Sequence, residues 1–262
     1  MGSRFLNIVI PMAGSGSRFL KAGYKDPKPL IDVFGKPMIT QVIKNLIPMQ
    51  DFKFIFICQK DDFEQYELSK IFTSILGSNW SCKKIDKITE GPACTVMLAK
   101  DLFSHSHELI IANSDQIIDS DINNFIRDAR ETNSDGFIMT FLASEDRWSF
   151  VKVDSEGFVT EVAEKKVISN NATVGIYYFS SCELFYKGFQ EMVKKNLRVN
   201  EEFYVAPVYN ELILFNKKIK IWNINSNHMN GIGTPNDLEI FFKKKGGYLS
   251  KSSPNFTSCS KK

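Results

Sequence analysis

Residues 9–37, VIPMAGSGSRFLKAGYKDPKPLIDVFGKP, constrain this chain more than any other stretch. They open as an apolar run, residues 8–12, with the length and β-branched content of a buried strand. A glycine-rich turn follows. Gly14 and Gly16 lack the Cβ atoms that would hold a ligand off the backbone, so successive N–H groups of GSGS can converge on an anion. Arg18 adds a planar fork for phosphate oxygens, and Lys28, between Pro27 and Pro29, adds a point charge on a stiffened loop. The combination describes a cradle for a triphosphate.

Two better-known glycine loops do not fit. A dinucleotide fingerprint needs a third glycine where Phe19 stands, and a P-loop needs Ser or Thr after Gly-Lys, where Gly35-Lys36 is followed by Pro37. The full spacing, strand, GxGxR, PKPL, then GKP, resembles the signature of the sugar-phosphate nucleotidyltransferases, or NDP-sugar pyrophosphorylases. It is most similar to the short members associated with bacterial capsule and surface-polysaccharide synthesis. The resemblance spans residues 7–241 and is most specific at its N-terminal end.

The resemblance implies a three-layer α/β/α Rossmann-like (GT-A-like) nucleotidyltransferase fold, mainly a parallel sheet with an antiparallel acceptor-side subregion. It also implies transfer of a nucleoside monophosphate from a nucleoside triphosphate to a phosphorylated small molecule, with release of pyrophosphate. Nucleotide-binding positions would be Met12, Ala13, Gly14, Ser15, Gly16, Ser17, Glu90, Gly91, Ala93 and Ser114. Within the EGxA-like segment, Gly91 would let the backbone approach the base. Arg18 would serve the leaving pyrophosphate, and Lys28 the α-phosphate or the attacking phosphate. Glu164, Lys165, Gly175 and Tyr177 match the family's EK and GxY segments and would contact the acceptor. The short relatives include enzymes that use CTP and a non-sugar acceptor, such as phosphocholine or phosphoglutamine. A pyrimidine triphosphate, CTP foremost, is therefore the expected donor, and Trp148, Tyr177 and Tyr178 are candidates for an aromatic wall around a cationic acceptor.

Asp115 follows the apolar run 109–112, and a carboxylate just beyond a buried parallel strand sits where open α/β sheets bind ligands. It is the candidate ligand for Mg²⁺ bridging triphosphate oxygens. Gly231 stands where many relatives carry a second aspartate, which leaves Asn230, Asp237, or Asp115 with the triphosphate alone to complete the site.

The reaction needs charge neutralisation and in-line alignment rather than a strong base, because its nucleophile is already an anion. Three histidines, His105, His107 and His228, are scattered, which disfavours a catalytic triad. A metal-dependent glycosyltransferase of related fold would call for Asp-x-Asp, and Asn113-Ser114-Asp115 supplies one carboxylate. A nucleotide-binding regulator without turnover would keep the cradle and dispense with the metal ligand.

A chain of 262 residues with 43% hydrophobic content can bury a large core in one α/β domain. Residues 7–132 are expected to form a nucleotide-binding half and 133–245 an acceptor-binding half of one domain, 1–245, with 246–262 a mobile basic tail. A net charge of +3 spread along the chain does not outline a nucleic-acid groove. Five cysteines at irregular spacing, Cys58, Cys82, Cys94, Cys182 and Cys259, read as reduced thiols. No membrane-spanning run or signal segment is visible, so a cytoplasmic protein with no membrane partner is expected, with homo-oligomers left open.

Periodicity predicts helices over residues 38–49, 61–76, 122–130, 182–197 and 204–215, with Ser120 or Asp121 capping the third and residues 200–202 the last. Strands are predicted over 52–58, 84–88, 109–112, 135–143, 150–154, 159–164, 173–179 and 218–224, with a hairpin turn at 155–157. Up to residue 132 strands and helices alternate, the signature of a parallel sheet with right-handed crossovers. Pro235 opens a closing helix.

Overall fold

The central apolar runs become strands because each can bury both of its faces. Along β1 (Leu6–Pro11), Ile8 and Ile10 enter one core and Val9 the opposite one, all fully buried. The computed structural model describes residues 4–246. After β1 come α1 (Ser17–Lys21), the short pair β2 (Asp32–Val33) and β3 (Lys36–Pro37), α2 (Met38–Leu46), β4 (Phe52–Gln59), α3 (Lys60–Gln65), α4 (Leu68–Leu76) and β5 (Trp80–Ile85). Next are α5 (Pro92–Met97), β6 (Glu108–Ala112), β7 (Gln116–Ile118), α6 (Ile122–Glu131), β8 (Gly136–Leu142), β9 (Ser149–Val153), β10 (Val159–Glu164) and β11 (Asn171–Phe179). The chain closes with α7 (Cys182–Lys194), α8 (Val208–Leu214), β12 (Ile219–Asn223), β13 (Met229–Gly231) and α9 (Pro235–Lys244).

Nine strands form one sheet. One side of it, in the order β6-β1-β4-β5 out to the edge, is parallel, as the alternation of strands and helices predicts. β11 then lies antiparallel to β6 and carries β9 and β10 on one branch and β8, followed by β12, on the other. Helices α2, α4 and α6 cover one face through residues such as Val42, Phe72 and Phe125. Helices α5, α7 and α8 cover the other through Val96, Phe185 and Tyr209. Each such side chain contributes about 1.5–3 kcal/mol by burial, so the three-layer α/β/α arrangement is held by its two cores.

A third, smaller core sits beside the sheet. Phe19 of α1 packs with Met38, Ile232, Leu238, Phe241 and Phe242, tying the glycine loop to α9. The residue that disqualifies a dinucleotide fingerprint is thus the one that anchors this loop.

Several elements differ from the periodicity. The predicted 61–76 helix is broken after Gln65, where Glu67 adopts a left-handed φ of 48°. Tyr66 at the break donates from Oη to Asp26 Oδ1 at 2.9 Å, while Leu68 turns fully into the core. The strand predicted over 84–88 runs over Trp80–Ile85, because Trp80 to Ile85 pair with Phe54 to Gln59 as an edge strand. The helix predicted from 204 begins only at Val208, capped by Pro207, and residues 200–202 do not cap it. Asn200 and Glu201 have left-handed φ values of 47° and 64° inside a tight turn bridged from Val199 to Glu202. The 182–197 helix stops at Lys194, and Asn196 takes a φ of 53° just beyond. Asp121 caps α6 with its side chain, accepting from the Asn123 amide.

Cys58, Cys82, Cys94 and Cys182 are free thiols. Cys259 and the 247–262 part of the tail lie outside the described residues. Among the described residues no helix is long and apolar enough to cross a membrane.

Candidate active site

A cleft of about 440 Å³ opens over the C-terminal ends of β1 and β6. Met12 to Phe19 line one side of it, as do Lys28 and Pro29. Gly16 has a φ of 60°, and a Cβ there would lie 3.1 Å from that of Lys28, so glycine lets the lysine segment close on the loop. Gln59 Nε2, at the end of β4, donates to Ala13 O at 2.9 Å and pins the loop from below. Arg18 is exposed at the cleft, and Lys28 Nζ donates to Asp115 Oδ2 at 2.9 Å. Cation, loop and carboxylate from widely separated positions are thus brought together.

Asp115 leaves β6 at the expected place, with Ser114 buried beside it. A Cβ on Gly233 would come within 2.4 Å of Asp115 Oδ2, so the glycine leaves this oxygen its space. Among the described residues no group of three or more His, Cys, Asp or Glu side chains could hold a metal ion. One carboxylate completed by phosphate oxygens and water is nevertheless a common donor set for a hard divalent cation on a nucleotide, and Asp115 fits it. Of the other two candidates, Asn230 is consumed by structure. Its Nδ2 donates to Ile117 O at 3.2 Å and Asp119 Oδ2 at 3.1 Å, and its Oδ1 accepts from Lys244 Nζ at 2.6 Å. Asp237 does line the cleft, but it accepts from Arg147 Nη1 and from Thr234 Oγ1, each at 2.7 Å.

In the EGxA-like segment, Gly91 lines the cleft, whereas Glu90 and Ala93 do not. The Glu90 carboxylate turns outward to Arg198, and buried Ala93 donates its N–H to Phe203 O at 3.0 Å. Gly91, at a φ of 126°, has its missing Cβ filled by the Phe203 backbone, 2.5 Å from where that atom would be. Close approach is required there, but to protein.

The far side of the cleft holds Glu164, Lys165, Gly175 and Tyr177. Burial raises the Glu164 carboxyl above its ordinary range, opposed by a hydrogen bond from Ser149 Oγ and by the Lys165 charge. Lys165 Nζ lies 4.5 Å above the Tyr204 ring and donates to Tyr204 Oη at 2.5 Å. Burial, and then Glu202, raises the Tyr204 hydroxyl. Buried Tyr177 bonds Thr173 Oγ1 at 3.0 Å, and burial, then Glu164, raises its hydroxyl too. Gly175 has a φ of 90°, and a Cβ there would strike Gln116 Oε1 at 2.1 Å and Asn113 Nδ2 at 2.4 Å. These amides pack against its backbone, and Gln116 Oε1 is buried with no protein partner among the described residues.

Of the three candidates for an aromatic wall, Trp148 and Tyr177 line the cleft and Tyr178 does not. Neighbouring residues of a strand face opposite ways, so Tyr178 points into the core on the other side and donates to Glu108 at 2.8 Å. Trp148 lines the cleft with Arg147 over its ring at 4.4 Å. Arg147, Gln116, Glu202 and Tyr204 were not identified as site residues in the sequence. Gln116 had a signal in its place beside Asp115, whereas Tyr204 was hidden in an overlong predicted helix.

Comparison with known proteins agrees with this architecture. Residues 8–217 match the nucleotidyl transferase family, so β13 and α9 lie beyond the matched stretch. The chain is 27% identical over 240 residues to the bifunctional protein GlmU of Methanococcus aeolicus, covering 89% of this chain and 53% of that one. It is 25% identical over 185 residues to the mannose-1-phosphate guanylyltransferase catalytic subunit beta of Drosophila pseudoobscura pseudoobscura, covering 68% and 48%. The chain thus spans about half the length of the curated relatives it matches. Among solved structures, the nucleoside-diphosphate-sugar pyrophosphorylase of Vibrio cholerae superposes with a TM-score of 0.79 at 27% identity, over 90% of this chain and 99% of that one. A UDP-glucose pyrophosphorylase complexed with UDP-glucose superposes at 0.73 with 14% identity, over 92% and 99%, which speaks to the fold alone. With most of its length matched and its sheet shared, the chain belongs to the nucleotidyl transferase family.

Proposed function

We propose that this chain transfers a nucleoside monophosphate from a nucleoside triphosphate to the phosphate of a small acceptor. The observation that carries this reading is the meeting of Arg18, Lys28 and Asp115 at one cleft, with Lys28 and Asp115 2.9 Å apart. An oxygen of the acceptor phosphate attacks the α-phosphorus, a new P–O bond forms, and the bond to the β-phosphate oxygen breaks to release pyrophosphate. Arg18 neutralises the leaving pyrophosphate, and Lys28 moves from Asp115 to the α-phosphate or the attacking phosphate. Loop residues 12–17 hold the triphosphate, and Ser114 and Gly91 shape the nucleoside end. Asp115 would hold Mg²⁺ together with the triphosphate, and the ion when bound would supply a hard positive charge that offsets phosphate charge.

The acceptor is read as a sugar 1-phosphate. Gln116 lines the cleft beside Gly175, where an amide side chain can meet a sugar hydroxyl. Glu164 is a hydrogen-bond acceptor on the same side of the cleft. The rings of Trp148 and Tyr204 each already carry a cation of this chain on one face, which leaves less room for a choline-like group. The similarity to a nucleoside-diphosphate-sugar pyrophosphorylase supports the same choice. A pyrimidine base, CTP foremost, and a role in capsule or surface-polysaccharide precursor synthesis rest on the resemblance of the opening signature.

The test is pyrophosphate release with Mg²⁺, each of the five common triphosphates, and a panel of sugar 1-phosphates with phosphocholine and phosphoglutamine. Release confined to one pair is expected and names both substrates. Release of nucleoside diphosphate from a nucleotide sugar, with no pyrophosphate from any pair, would overturn the proposal.

A further inference from the structure

Four cationic side chains line the cleft among the described residues: Arg18, Lys28, Arg147 and Lys165. The first two stand at the triphosphate loop. In-line displacement puts the attacking phosphate on the opposite side of the α-phosphorus from the leaving pyrophosphate. In the sheet, β9 lies three strands from β1, on the far side of β6 from the loop, so the attacking phosphate must sit toward β11 and β9. Arg147, two residues before β9, and Lys165, immediately after β10, are the cations on that side among the described residues.

Lys165 is already engaged with Tyr204. Arg147 is held differently. Its Nη1 donates to Asp237 Oδ1 at 2.7 Å, its Nε lies 3.6 Å from Glu145 Oε2, and its guanidinium stacks on Trp148. The Trp148 indole is fixed in turn, donating to Glu145 Oε2 at 3.1 Å and packing edge-on against Phe141. Asp237 is nearly buried and accepts from Thr234 Oγ1, so it cannot follow a moving arginine. Anchored on one side and stacked beneath, the guanidinium keeps Nη2 without a protein partner among the described residues, and its side chain remains 46% exposed. That is a preorganised fork for an oxyanion.

We infer that Arg147 binds the phosphate of the acceptor, and that Asp237 is its positioning residue rather than a metal ligand. The inference rests on the transfer reaction proposed above. Thr234 and Asp237 belong to α9 and its cap, so the closing helix enters the acceptor site through this pair.

The experiment uses the full chain with the substrate pair identified by pyrophosphate release, and inorganic phosphate as a competitor of the acceptor. Arg147→Ala is expected to raise the acceptor KM and the inhibition constant of inorganic phosphate by roughly tenfold or more, the loss of a charged hydrogen bond, leaving the triphosphate KM within about twofold. Arg147→Lys should recover part of the loss. Asp237→Asn, which keeps the bond to Thr234, should raise the acceptor KM about threefold with kcat unchanged. Unchanged acceptor KM and phosphate inhibition in both Arg147 variants, with turnover intact, would overturn this assignment alone. An equal rise in both substrates' KM would overturn it too. Absence of turnover by the unaltered protein with every pair would sink the proposed reaction and this inference with it.

Discussion

The two ends of the cleft are built in opposite ways. The end proposed for the triphosphate is largely one contiguous stretch, residues 12–18, which turns at Gly16 with a φ of 60° and whose Arg18 has no ion pair among the described residues. The end proposed for the acceptor is assembled from side chains around residues 116, 147, 164, 175 and 204, and its cations are tied to neighbours: Arg147 to Asp237, Lys165 to Tyr204. A loop can offer a general grip on phosphates, since every triphosphate presents the same oxygens. Recognition of one acceptor needs side chains fixed in mutual register, and these are held by packing and by each other.

The largest effect expected from this contrast is at the junction of the two ends. Lys28→Ala and Asp115→Asn should each lower kcat about 100-fold, ~3 kcal/mol of transition-state stabilisation, without unfolding the chain. Steady-state kinetics beside a melting curve checks this, and near-normal turnover in both would remove the junction from the chemistry. Gly175→Ala probes the packed end. Its positive φ and the contact with Gln116 predict a loss of about 3 kcal/mol in denaturant unfolding. A loss within experimental error would mean that the amide floor is not rigid.

Gln59→Ala probes the loop end, where one hydrogen bond to Ala13 is at stake. A rise of about fivefold in triphosphate KM, ~1 kcal/mol, is expected with acceptor KM unchanged. The smallest effect concerns pH. Burial raises the Glu164 carboxyl, so its ionised form costs stability at neutral pH and that cost fades as pH falls through the raised value. Binding has the opposite sign. Acceptor KM should begin to climb at a pH above the ordinary glutamate range, and Ser149→Ala, which removes a hydrogen bond that favours the anion, should move the rise to still higher pH. A pH profile of acceptor KM, flat in both proteins through that range, would take Glu164 out of acceptor recognition.

The same contrast explains what could be read in advance. β1, β4, β6, β8 and β11 announced themselves because two-faced burial demands near-continuous apolar residues, whereas β9 and β10, half-exposed, showed through short apolar-polar runs either side of the turn at residues 155–157. β5 was displaced because its lysines, Lys83 and Lys84, face outward at a sheet edge and blur the pattern. The break at Glu67 has no compositional mark, and the turn at residues 199–202 has only Asn200, a residue tolerant of left-handed φ, beside Glu201, which is not. Glu90 and Ala93 matched a motif by position, yet one faces Arg198 and the other the core, since a motif fixes neighbours in the chain and not the direction of each side chain.

By itself the sequence determined the α/β class, the glycine loop with its two cations, and the carboxylate beyond β6, because each depends on residues within a few positions of one another. Only the tertiary structure decided that Gly91 makes room for Phe203, that Asn230 is spent on structure, that Tyr178 leaves the cleft, and that Arg147 meets Asp237 ninety residues away. Those facts depend on which distant surfaces come within a few ångströms, and that is settled by the packing of the whole sheet and its two cores.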